Sequence, residues 1–75
     1  MGRGKTMNKR DLKAADNWIE DNVLTDDDLV LEDCEENRTS CLYRLVSRTT
    51  ERSMKVTVWA KSGKVTKVSR RTRSG

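Results

Sequence analysis

Trp59 and the basic residues around it are the part of the chain whose types and spacing suit binding chemistry. Lys55 lies four positions before Trp59, Lys67 lies in the segment that follows, and Arg44 lies in the segment before. Lysine and arginine bind phosphate oxygens without regard to base sequence. A tryptophan ring offers an unpaired base a surface on which to stack. This combination indicates nucleic-acid binding if the fold brings the four side chains to one surface.

Further cations stand near both ends of the chain, where they could follow a nucleic-acid backbone or enter a groove. They are Arg3, Lys5, Arg70, Arg71 and Arg73. Two other interpretations stay open. The basic segments could form an ordinary solvated surface on which lysine stems cover Trp59, or Trp59 could anchor a protein partner.

Charge is separated along the chain although the net charge is only +4. Residues 14–37 hold ten acids and no lysine or arginine, whereas residues 38–75 hold eleven bases and one acid, Glu51. One hypothesis is internal compensation, in which the acidic segment lies beside the basic ones. The other is that a basic face meets phosphates while the acidic segment faces elsewhere or binds a basic partner.

The composition argues against an enzyme and against a cofactor or metal site. The chain has no histidine, which removes Ser-His and Cys-His catalytic pairs and imidazole metal ligands. Two cysteines, Cys34 and Cys41, do not fill a tetrahedral zinc site. The acids of residues 26–36 lack the spacing of a calcium-binding loop. We expect both cysteines to be reduced and buried as small apolar side chains.

Length and hydropathy predict one small intracellular domain. The chain has 75 residues, 33% of them hydrophobic and 37% charged, with a mean hydropathy of -0.88. Such a chain supplies enough apolar surface for one core. No apolar run approaches the roughly 18 residues that cross a bilayer, and no signal-peptide segment follows the basic N-terminus. We therefore expect a cytoplasmic protein with no membrane partner.

The N-terminal part of the chain predicts a basic arm and then an amphipathic helix. Residues 1–7 hold little to bury and are expected to be flexible. Residues 8–22 have helical spacing, with Asn8 as the N-cap. Their apolar stripe consists of Leu12, Ala15, Trp18 and Ile19. This stripe is expected to pack on one face of the sheet that the rest of the chain forms.

The rest of the chain predicts antiparallel strands. Residues 25–37 are compatible with a helix or a strand, and we favour the strand because the segment ends in acids, which disfavour a helix C-terminus. Residues 41–47, 53–60 and 64–70 alternate as strands do. Residues 71–75 are expected to be a disordered basic tail. The predicted fold is α+β, with the helix packed on one face of a three- or four-stranded antiparallel meander over residues 8–70.

The turn at residues 61–64 decides which side chains share a face. We expect a type I turn with a bulge at Gly63, which pairs Ala60 with Lys64 and Trp59 with Val65. The inner face then carries Val56, Val58, Thr66 and Val68. The opposite, outer face carries Lys55, Thr57, Trp59, Val65, Lys67 and Ser69.

These patterns predict a small, non-enzymatic accessory protein that binds DNA or RNA. Arg44, Lys55, Trp59 and Lys67 form the expected platform, and the terminal cations add phosphate contacts. The alternative is a regulator or inhibitor that engages a protein through the outer face or through the acidic segment 20–36. In either case a monomer or a weak homodimer is expected.

Overall fold

One helix packs on a four-stranded antiparallel sheet, as the sequence predicts. The computed structural model describes the backbone of residues 7–74 and the side chains of residues 7–72. The sheet is open, and its strands follow one another in chain order. The elements are α1 (Lys9–Asn22), β1 (Leu29–Glu36), β2 (Ser40–Ser47), β3 (Arg52–Lys61) and β4 (Lys64–Ser74). The segment that was compatible with a helix or a strand is therefore the strand β1.

Helix α1 begins where its capping residue predicts. The Asn8 side chain accepts a hydrogen bond from the backbone N–H of Asp11 at 2.9 Å, which satisfies one of the free donors of the first turn. The Asp11 carboxylate accepts a second bond, at 2.6 Å, from the backbone N–H of Gly63 in the turn between β3 and β4. The start of the helix is thereby attached to that turn.

The core lies between α1 and the inner face of the sheet. Ala15 and Ile19 are buried, and α1 contacts β3 and β4. Burial of apolar side chains is the main term that stabilises this layer. The buried hydrophobic side chains of the sheet are Cys41, Tyr43, Leu45, Val56, Val58 and Ala60. Met7 is also buried, so the last residue of the predicted arm belongs to the core, because its side chain is apolar.

A buried tyrosine attaches the middle of α1 to β2. Tyr43 is 2% exposed, and its hydroxyl donates a hydrogen bond to the Asp16 carboxylate at 2.5 Å. Burial, and then the bond to Asp16, raises the pKa of the Tyr43 hydroxyl. Tyr43 therefore stays protonated and remains a donor across the ordinary pH range.

The two cysteines differ in their surroundings. Cys41 is fully buried, and burial raises the pKa of its thiol to about 11, so it stays neutral. Cys34 is exposed on β1, and both thiols are free. The expectation of two buried cysteines was wrong for Cys34, because α1 covers β3 and β4 and leaves β1 without a second layer.

Asp28 fixes the loop that leads into β1. Its carboxylate accepts hydrogen bonds from the hydroxyls of Ser47 (2.5 Å) and Thr49 (2.9 Å), and from the backbone N–H groups of Arg48 and Thr49. These donors stabilise the charged form, so the pKa of Asp28 lies below its usual value, with the Ser47 bond as the largest cause. One carboxylate thus joins this loop to the turn between β2 and β3.

The turn between β3 and β4 differs from the prediction. It has two residues, Ser62 and Gly63, with φ of 56° and 77°, as in a type I′ turn. Ala60 pairs with Val65, and a bulge at Thr66 then brings Trp59 opposite Lys67. The two-residue turn followed by the bulge at Thr66 keeps Lys67 out of the core, which the predicted bulged turn would also have done. The type I′ turn also matches the twist of the two strands.

This register changes two face assignments and keeps the others. Val65 packs against the core instead of lying on the outer face, because it pairs with the buried Ala60. Thr66 occupies the bulge, where its hydroxyl donates to the Trp59 carbonyl at 3.3 Å. Val58 and Val68 both lie on the inner face, as expected, and the observed register pairs them with each other.

Strand β4 continues through residues that the sequence assigned to a disordered tail. Residues 71–74 pair with the first four residues of β3, and Arg71 faces Lys55 in the register. The high charge of residues 70–73 led to the prediction of a disordered tail. Composition does not show that β3 provides backbone hydrogen-bond partners for this segment. Residue 75 lies outside the described residues.

We expect Gly63→Ala to lower the free energy of unfolding by about 1–2 kcal/mol, the usual penalty for a Cβ in a left-handed conformation. An added Cβ would also lie 2.8 Å from side-chain carbons of Arg10. Ser62→Asn is the matched control, since Asn-Gly is the favoured pair in this turn. Urea denaturation measures both variants. Equal stability of Gly63→Ala and the unchanged chain would contradict the turn geometry.

Candidate nucleic-acid interface

The outer face of the sheet, turned away from α1, carries all four residues of the predicted platform. Side chains alternate along β3, so Val56 and Val58 point to the helix while Lys55, Thr57 and Trp59 point away. Residues 7–74 contain one helix, which packs on the inner side, and no second layer over the outer face. The platform residues therefore lie on an uncovered surface.

A row of cations crosses three strands of the outer face. Arg44 on β2 is the register partner of Lys55 on β3, which is in turn the partner of Arg71 on β4. All three side chains are exposed. Directly paired cross-strand residues have Cβ atoms about 5 Å apart, and like charges at that distance destabilise a sheet. We call these three residues the cation row; it ends at Asp33, the partner of Arg44 on β1.

A shallow groove runs beside the cation row. It has a volume of about 390 Å³ and is lined by Ser53, Lys55, Arg71 and Thr72. Two cationic side chains and two hydroxyl side chains supply hydrogen-bond donors of the kind that hold phosphate oxygens. The groove is open to solvent, so a phosphate group has access to these side chains.

Trp59 and Lys67 form a second pair on the outer face, nearer the β3–β4 turn. They are register partners, and the Lys67 ammonium lies 5.0 Å from the centroid of the Trp59 ring. This distance is within the range of a cation–π interaction. The ring is half-buried, so a base can reach it once the flexible lysine turns aside. The arrangement agrees with a stacking surface and also with a ring covered by its neighbour.

The structure does not bring every predicted cation to this face. Arg70 pairs with Val56 in the register, and its guanidinium lies 5.4 Å from the Trp18 ring on the helix side. Arg73 pairs with Ser53 at the far end of β4. Arg3 and Lys5 lie outside the described residues. The platform on the outer face thus consists of Arg44, Lys55, Trp59, Lys67 and Arg71.

Lys61 and Lys64 extend the same surface, although the sequence analysis left them out. They pair with each other where β3 and β4 meet their turn, and both are exposed. Lys61 stands two positions after Trp59 and so shares its face. The alternation of Lys55, Thr57, Trp59 and Lys61 was the signal that could have included it.

Neither a metal-binding cluster of side chains nor a membrane-spanning helix is found among the described residues. Residues 7–74 contain no cluster of three or more cysteine or acidic side chains suited to holding a metal ion. Over the same range, no helix is long and apolar enough to cross a membrane.

Comparison with known proteins adds no assignment. No protein-family model, curated protein or solved structure shows significant similarity to the chain. Function is therefore argued from the residues and the geometry of the outer face.

The position of Trp59 predicts how its fluorescence responds to ions. In a Trp18→Phe variant, iodide should quench the fluorescence of Trp59 more strongly than caesium does, because the surrounding cations concentrate anions. The ratio of the two quenching constants is compared with the same ratio for a free tryptophan amide. Adding Lys67→Gln should reduce that preference, since the Lys67 ammonium is 5.0 Å from the centroid of the ring. A caesium preference in the Trp18→Phe variant would show that the surface around Trp59 is not positive.

Proposed function

We propose that this protein is a small, non-enzymatic accessory protein of the cytoplasm that binds DNA or RNA through the outer face of its sheet. The observation that carries the proposal is the cation row, in which Arg44, Lys55 and Arg71 are direct neighbours across three strands. Such neighbours repel one another in the isolated chain. A phosphate backbone removes that repulsion and releases counterions when it binds.

The dimensions of the platform suit a nucleic-acid backbone. Adjacent strands are about 4.8 Å apart, so the cation row is about 10 Å long. From Lys55 to Trp59 the strand advances about 13 Å, which separates the phosphate contacts from the aromatic ring by a few nucleotides at most. Backbone contacts of this kind supply affinity, and the Trp59 ring adds stacking with little base preference.

The salt dependence of binding tests the cation row. We expect Lys55→Gln/Arg71→Gln to weaken binding to labelled oligonucleotides and to make the slope of log K against log salt shallower, by about 1.8 on a duplex and about 1.4 on a single strand. Arg48→Gln/Arg52→Gln is the matched control. It removes the same charge outside the cation row, next to the β2–β3 turn, where Arg52 lies beside Asp26 and Asp28.

Two results would contradict the proposal. The first is that the unchanged chain binds neither oligonucleotide at about 50 mM salt, where electrostatic binding is strong. The second is that both double variants lose affinity equally, because net charge rather than the cation row would then account for binding.

A protein partner is the second candidate function, and β1 favours it. This edge strand is exposed along its length after Leu29 and carries the acids Glu32, Asp33, Glu35 and Glu36. A bulge interrupts its pairing near Glu32, and the Asp33 carboxylate accepts a bond from the Cys34 backbone N–H at 2.8 Å. Both features hinder the addition of another strand, so a basic partner would contact the acidic side chains.

The acidic strand makes its own prediction. If it binds a basic protein, Glu35→Lys should abolish a stoichiometric complex that survives nuclease treatment in a pull-down, because it reverses a charge within the contact. Glu51→Lys is the matched control outside the segment. Asp28 is unsuited to such a test, since its carboxylate holds the loop before β1. A complex that nuclease removes would favour the nucleic-acid proposal instead.

A further inference from the structure

We propose that the basic surface continues from the outer face around the β3–β4 turn onto the first turns of α1, and that a single-stranded nucleic acid follows it. This extension rests on the proposed nucleic-acid binding and names the form of the partner. The added cations are all exposed side chains: Lys9, Arg10, Lys13, Lys61 and Lys64. We call them the turn–helix patch.

Direct contacts hold the two parts of the turn–helix patch together. The Asp11 carboxylate accepts a hydrogen bond from the Gly63 backbone N–H at 2.6 Å. The side chain of Arg10 lies against Gly63, so close that an added Cβ would be 2.8 Å from its carbons. Lys61 and Lys64 flank that turn. The first turn of α1 and the tip of the hairpin therefore form one end of the molecule.

The patch is continuous with the outer face. Lys61 pairs with Lys64, and two positions along β3 Trp59 pairs with Lys67. From Lys55 to Lys61 the strand advances about 20 Å. Positive charge thus lines the outer face of β3 and β4 from the cation row to the turn, where the Arg10 side chain of α1 lies against Gly63.

The positions of these bases are unfavourable in the isolated chain. Lys9 and Arg10 lie in the first turn of α1, where the helix dipole favours acids, and the last turn holds no base. Lys61 and Lys64 are a directly paired like-charged couple. The acid of the first turn, Asp11, is already bonded to Gly63. A polyanion that touches this end relieves both repulsions.

The shape of the surface favours a single strand over a duplex. The basic surface passes from the outer face to the helix layer over roughly 10 Å, the spacing of packed layers. A duplex has a persistence length of about 500 Å and does not bend around such an edge without a large deformation energy. A flexible single strand can follow the turn, and Trp59, which lies beside it, offers a base a stacking partner.

Lys9→Gln/Lys13→Gln tests the extension, because it removes two exposed cations one helical turn apart. On a single strand, the slope of log K against log salt should become shallower by about 1.4, and on a duplex the slope should stay unchanged. Lys55→Gln/Arg71→Gln should alter both slopes. Arg48→Gln/Arg52→Gln serves again as the control for net charge.

Stability distinguishes a binding role from a structural one. Lys9 stands in the first turn of α1, where the helix dipole disfavours a base, and its like-charged i,i+4 pairing with Lys13 is also unfavourable. The thermal midpoint of Lys9→Gln/Lys13→Gln should therefore equal or exceed that of the unchanged chain. A lower midpoint together with weaker binding would assign the two lysines to the fold and overturn the extension.

The remaining outcomes separate the two proposals. If Lys9→Gln/Lys13→Gln binds a single strand with the slope of the unchanged chain, the extension fails while binding by the outer face stands. If it changes the slopes on duplex and single strand alike, the preference for a single strand is wrong. If the unchanged chain binds neither, the proposed function and the extension fail together.

Discussion

The packing of α1 on one face of β3 and β4 is the constraint on which the rest of the structure depends. Ala15 and Ile19 are buried in that layer, and the Asp11–Gly63 and Asp16–Tyr43 hydrogen bonds attach the helix at its start and its middle. Residues 7–74 hold one helix for two faces of a sheet, so one face is sealed and the other meets water. An antiparallel sheet tolerates this, provided that polar side chains occupy the wet side.

Acids and bases take different parts in this small fold. The carboxylates of Asp11, Asp16 and Asp28 accept hydrogen bonds that join separate elements. Several bases lie beside other bases, as at the Lys55–Arg71 pair, although Arg44 also pairs with Asp33. Pairing of like charges lowers stability, and the core and the backbone ladder offset it.

Elements that rest on local signals were predictable. Asn8 capped the helix where expected, and the alternation along residues 53–60 placed Lys55 and Trp59 on the outer face. Features that depend on a partner strand were not. The start of β1 at Leu29 depends on the loop that Asp28 holds, and strand β4 extends to Ser74 because β3 offers backbone partners.

By itself, the sequence determined the helix, the order of the strands and the separation of charge, because spacing and residue type act within a few neighbours. Tertiary structure alone decided which cations meet. The turn at Ser62–Gly63 and the bulge at Thr66 set the register that pairs Trp59 with Lys67. The same register sends Arg70 to the helix side, against Trp18. A shift of one residue in the register exchanges the two faces of a strand, and the composition of the chain does not determine the register.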